Sequence, residues 1–272
     1  MRASLNLGAV LLAVVCLGAA QVALADRCER LIVSGSPDAP PYLWRDPQDP
    51  RHLMGANADL LKQAVQELGV RVEFLYAGKR SQALEEVRSG RMDLLADAAS
   101  GGANAQAFDF IEPPVSHNEI VVWTRSAVEP DVTTLEELAA RTGARSQRTR
   151  FTPGFDAQTA PRLQLQSVSS LTQALQKLML GEVDYVLAGR YSAMVMAQTL
   201  GLSAEVKAMP LVVDRPAFHL AFSTNSVCND PLLRGQLAKK MTESAASGRA
   251  DEAVKRNLDV WKSQLQQPAA NQ

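Results

Sequence analysis

The chain has only three cysteines and three histidines in 272 residues, and its 28 basic and 29 acidic residues leave a formal net charge of −1. That balance excludes the basic footprint with which nucleic-acid-binding proteins meet a phosphate backbone. His52, His117 and His219 lie far apart without metal-ligand spacing, so each reads as a surface or satisfied core histidine and no metal site is expected. Missing too are the glycine-rich phosphate loop ending in Gly-Lys-Ser/Thr, the G-x-G-x-x-G turn, H-E-x-x-H and the G-x-S-x-G elbow. Nothing forces a catalytic reading, and no cofactor is expected. What is present is core-forming material: 46% hydrophobic and 21% charged residues describe a soluble globular protein long enough for two domains.

Long hydrophobic runs are also scarce. One extends from Leu7 to Ala20 behind Arg2 and ends in Ala23-Leu24-Ala25. It is short for a membrane anchor, which needs ~20 strongly apolar residues, and has the parts of a secretory signal peptide cleaved after Ala25. Val15 before Cys16 argues against a lipoprotein. The remaining cysteines, Cys28 and Cys228, can pair in the oxidising space outside the cytoplasm; the alternative is two separately buried thiols. Each adjoins a strand-like segment, Leu31–Ser34 and Phe218–Ser223, so a bond places both in one structural unit.

An internal repeat divides the chain. Ser81-Gln82-Ala83-Leu84 recurs 91 residues later as Thr172-Gln173-Ala174-Leu175, with Gly90 matching Gly181 and Asp93 matching Asp184. Each copy reads as a helix, a glycine stop and a strand buried on both faces. Further helices are expected over Asn57–Leu68, over Thr133–Thr142 (Thr133/Glu136 capping box, closed by Gly143), over Tyr191–Leu200, from Asp230-Pro231 to Ala246 and over Ala250–Leu265. Alternation with strands predicts an α/β protein of two lobes, each around a largely parallel sheet.

Several segments, in order, resemble the family 3 extracellular solute-binding proteins, the periplasmic receptors of polar amino acid ABC importers. These are Leu31–Ser36 with Pro40-Pro41-Tyr42, Gly55 with Asn57–Leu68, Gly90-Arg91-Met92-Asp93-Leu94, Phe108-Asp109-Phe110-Ile111-Glu112-Pro113, Gly181–Leu187, and Phe218–Ser223 with Trp261. The resemblance implies the two-lobe periplasmic binding protein fold (type II), with two hinge crossings and a cleft between the lobes. Residues 26–113 and 219–265 would form lobe 1, residues 114–218 the hinge strands and lobe 2, and 266–272 a polar tail. It also implies a periplasmic monomer that hands a small-molecule solute to an inner-membrane ABC permease, without catalysing a reaction. The alternatives are an enzyme on the same scaffold, of the cyclic-acid dehydratase type, and a non-transport sensor or degenerate receptor.

The chain departs from the family where amino acids are clamped. The turn that carries the carboxylate-binding arginine reads Ser100-Gly101-Gly102-Ala103-Asn104, and Gly189-Arg190 stands where an acid would hold the ligand ammonium. Arg80 and Arg190 therefore point to an anionic or neutral ligand. Tyr42 and Trp44 are candidates to stack on it, and Ser100 to bond it. Thr152 and Gly154 are candidates to offer an anion site at a helix start. Arg141, Arg145, Arg148 and Arg150 form a basic run that reads as a solvated face.

Overall fold

The computed structural model describes residues 28–100, 105–128 and 132–266. The expected leader, Asn104 and residues 267–272 lie outside them.

The chain opens with strand β1 (Arg30–Ser34) and a short meander of β2 (Asp38–Ala39), β3 (Leu43–Arg45) and β4 (Leu53–Met54). Helix α1 (Ala56–Gln66), β5 (Arg71–Phe74), α2 (Arg80–Arg88), β6 (Leu94–Ala98) and the long β7 (Phe108–His117) follow. A second body comprises β8 (Ile120–Arg125), α3 (Leu135–Ala139), β9 (Thr142–Ser146), β10 (Gln164–Val168), α4 (Leu171–Met179), β11 (Tyr185–Gly189), α5 (Arg190–Thr199) and β12 (Val206–Asp214). The chain then returns through β13 (Ala217–Ser223) to α6 (Pro231–Ala246) and α7 (Arg249–Gln266).

The two large sheets have the same plan. The first runs β5-β1-β6-β13-β7 and the second β10-β9-β11-β8-β12. In each, four strands run in one direction and a single strand, β13 in the first and β8 in the second, runs antiparallel between its two neighbours. The expected largely parallel direction of each sheet is therefore observed, with one reversed strand in each. The reversed strand is in each case the one by which the chain enters that body from the other, β8 following β7 and β13 following β12. The crossings at Asn118-Glu119 and Arg215-Pro216 run side by side, Asn118 N–H donating to the Pro216 carbonyl at 2.9 Å.

The repeat is visible as equivalent hydrogen bonding. Asp93 N–H donates to the Ile32 carbonyl at 2.7 Å, and its Oδ2 accepts from Ile32 N–H at 2.7 Å. Asp184 does the same with Thr142, at 2.8 Å for each bond. Both preceding helices end at a glycine of positive φ, +81° at Gly90 and +72° at Gly181, where a side chain would strain the turn. The aspartate thus locks the incoming strand onto its neighbour after the glycine reverses the chain.

The second sheet explains its nearly continuous apolar strands. Val121, Trp123, Val186 and Ala188 join a core beneath α4 and α5, while Ile120, Val122, Tyr185 and Leu187 join another with Leu138 and Phe155. Both faces are covered, so successive side chains are buried alternately on each. Helix α3 begins one residue later than its sequence suggests. Thr134 accepts from Glu137 N–H at 3.3 Å, and the Glu137 carboxylate accepts from Thr133 and Thr134 N–H. Gly143 is no helix stop; it lies in β9, where a Cβ would stand 2.3 Å from the Tyr185 ring. Cys28 and Cys228 form a disulfide with their Cα atoms 5.1 Å apart, tying the start of β1 to the turn before α6. Among the described residues, no helix is long and apolar enough to cross a membrane.

Candidate functional site

A cavity of about 500 Å³ opens beside the crossings, with walls from both bodies. This lies within the range of roughly 300–1,000 Å³ usual for small-molecule sites. The first body contributes Arg80 and Leu84 from α2, Ser100 beyond β6, Phe108 and Phe110 from β7 and Phe218 from β13. The second contributes the loop Thr149, Arg150, Phe151, Thr152 and Pro153, with Asp156 behind it; Asn118 and Pro216 line the crossings.

Arg80 is not a free cation. Its Nη1 donates to Asp97 Oδ2 and, at 2.5 Å, to Ser36 Oγ, while Nη2 donates to the Asp97 carbonyl at 3.2 Å. The Asp97 side chain is 3% exposed and that of Arg80 29%, so the pair is an anchored structure of the wall. One edge of the guanidinium is occupied. Nε–H and the second Nη2–H have no partner among the described residues, and this edge is the one that grips a carboxylate side-on.

Arg150 has no ion-pair partner among the described residues. Partial desolvation at the cavity wall lowers the pKa of its guanidinium although the side chain keeps solvent contact, the like charge of Arg80 adds to this, and Asp97 opposes it. An arginine remains protonated through such shifts, so a cation stands uncompensated in the wall. Arg150 is exposed to solvent, as the basic-face reading expects, and it also lines the cavity. Its neighbour Arg145 is compensated, pairing with Asp156 at 2.6 Å and lying over the Phe151 ring at 5.1 Å.

Of the seven candidate ligand contacts, Arg80, Ser100 and Thr152 meet at the cavity; Tyr42, Trp44, Gly154 and Arg190 do not line it. Tyr42 is buried one layer back, its hydroxyl donating to the His117 carbonyl at 2.9 Å and its ring set edge-on to Phe218 at 5.0 Å. Burial raises its pKa far above the ordinary tyrosine value, so the hydroxyl stays a donor. Trp44 packs with Leu258 and Trp261 and donates to Gln264 Oε1 at 3.0 Å, because the small meander turns it toward α7. Arg190 pairs with Glu119 at 2.8 Å, and Glu119 also holds Arg215 at 2.6 Å. The start expected near Gly154 is only a five-residue turn, Phe155–Thr159. Its anion position is filled internally: Thr152 donates to Asp214 from N–H at 2.7 Å and from Oγ1 at 2.8 Å.

Sequence reasoning missed Arg150, Asn118 and the phenylalanine wall. Phe110 and Phe218 were visible only inside family-like segments, and Arg150 only inside a run of similar arginines.

A sequence model of the family "Bacterial extracellular solute-binding proteins, family 3" matches residues 31–260. The chain belongs to that family. No curated protein matches it in sequence. Among solved structures, this family 3 protein is similar to a histidine kinase sensor domain with similarity to periplasmic binding proteins (21% identity, TM-score 0.61), over 85% of this chain and 96% of that one. An amino acid ABC transporter substrate-binding protein from Streptococcus pneumoniae bound to L-arginine aligns at 22% identity and TM-score 0.59, over 85% and 94% of the two chains. An ancestral amino acid-binding protein, a precursor of cyclohexadienyl dehydratase, aligns at 18% identity and TM-score 0.57, over 85% and 95%. These likenesses show a shared two-lobe fold.

Proposed function

We propose that this family 3 protein captures a small anionic solute in the periplasm and presents it to an inner-membrane ABC permease. The observation that carries the reading is Arg150, an uncompensated cation in a cavity walled by both bodies. In this account residues 26–113 and 219–265 form one lobe and 114–218 the hinge and the other, with the leader removed after Ala25. Arg80 and Ser100 join Arg150 as polar contacts, and Thr152, its donors held by Asp214, contributes only to the wall. A ligand touching both lobes selects the closed state, because only that state offers both sets of contacts at once.

The acids near the cavity favour binding over turnover. Asp97 is committed to Arg80 and Asp156 to Arg145, while Glu112 is bonded to His219 at 3.0 Å and does not line the wall. A thermal-shift screen over mono- and dicarboxylates, amino acids and polyamines tests the reading. Carboxylates are expected to raise the melting temperature and polyamines to leave it unchanged. Stabilisation by polyamines with none from any anion would overturn it.

A further inference from the structure

We infer that the ligand of this cleft is a monocarboxylate with a ring-sized apolar body and no ammonium group, an inference that rests on the anion-binding reading above. Three features of the wall carry it.

The first is charge. Arg80 and Asp97 cancel, Arg145 and Asp156 cancel, and Arg150 remains, leaving one positive charge to be balanced. One carboxylate balances it. A second carboxylate on the same ligand meets no further unpaired cation among the described lining residues, only the spare N–H edge of an Arg80 whose charge Asp97 already holds.

The second is that no free carboxylate among the described lining residues can receive an ammonium. The acid in the lining, Asp156, is engaged by Arg145, and Asp97 is buried against Arg80. Asp214 is turned to Thr152 and lies outside the lining. An α-amino acid entering this site brings its ammonium beside two guanidinium groups with no free carboxylate among the described lining residues to pair it, which is unfavourable.

The third is the apolar wall. Phe110, Phe151 and Phe218 are all partly exposed and line the cavity with Leu84. Each is braced from behind: Phe110 edge-on to His219 at 5.9 Å, Phe151 stacked on Phe155 at 4.4 Å and Phe218 edge-on to Tyr42 at 5.0 Å. Braced ring faces around a cavity suit an aromatic or cyclic aliphatic body.

Titration calorimetry on the processed protein with five matched probes tests this: 3-phenylpropionate, L-phenylalanine, 3-phenylpropanamide, propionate and succinate. We expect 3-phenylpropionate to bind about tenfold or more tighter than each of the others, since each loses a matched group or adds an unmatched one. Arg150→Ala should weaken it about tenfold or more, with Arg148→Ala as an unchanged control; Arg150→Gln gives the same readout should the alanine variant fail to fold. L-phenylalanine, propionate or succinate binding as tightly as 3-phenylpropionate would overturn this inference and leave anion binding intact. No binding by any carboxylate, or equal binding by the amide, would overturn both.

Discussion

Asp97 holds Arg80 through one carboxylate oxygen and its own main-chain carbonyl, which fixes the guanidinium in the cavity wall and cancels its charge. The cleft therefore owes its net positive charge to Arg150 on the opposite side, and its shape partly to a buried pair that carries no net charge.

Replacing Asp97 by Asn breaks that pair from its buried end. Losing one partner of a buried ion pair costs about 3–5 kcal/mol, and the partial exposure of Arg80 reduces this to about 2 kcal/mol. Urea unfolding of D97N should show this loss. An unchanged midpoint would mean that the pair does not brace the wall.

Much of the architecture was legible because it rests on local rules. Asp230 before Pro231 starts α6 as expected, its Oδ1 accepting from Leu233 N–H at 2.9 Å. The matched pairs Gly90/Gly181 and Asp93/Asp184 mark the same turn and strand lock in both bodies. Gly143 misled because a glycine under a tyrosine ring looks, in sequence, like a glycine that ends a helix. The site was harder for the same reason: Arg145 and Arg150 are alike as letters, and only folding gives one an aspartate and leaves the other without an ion-pair partner among the described residues. The partners that engage Arg80 and Arg190, Asp97 and Glu119, lie 17 and 71 residues away, beyond any local pattern.

Arg190 provides a contrasting test. It is paired with Glu119 outside the cavity, so R190A should leave carboxylate affinity within about twofold of the parent by calorimetry. Its stability cost should stay near or below 1 kcal/mol, since Glu119 keeps Arg215. A tenfold loss of affinity would return Arg190 to the site.

The disulfide closes a separation of 200 residues. Oxidised protein should therefore show no reactive thiol after denaturation. The C28S/C228S double variant should lose about 2–5 kcal/mol in denaturant unfolding, through the freer unfolded chain. Two titratable thiols in the periplasmic product would contradict the linkage.

His117, the last residue of β7, has its pKa lowered from 6.5, first by burial and then by Arg215 and His219. Below the unfolded value the unfolded chain binds a proton that the native protein refuses, so this contribution is full above about pH 6.5 and falls as the pH drops below it. Urea midpoints of the parent and H117Q, compared from about pH 5 to 7.5, should show a shallower decline in the variant. Parallel curves would remove His117 as the cause.

The most direct measurement of the central claim is a crystal structure of the processed protein grown with 3-phenylpropionate. The account predicts density between the two bodies, with the carboxylate about 2.7–2.9 Å from the Arg150 guanidinium and the ring against Phe110, Phe151 and Phe218. A ligand seated elsewhere, or in the cleft with its carboxylate turned away from Arg150, would contradict it.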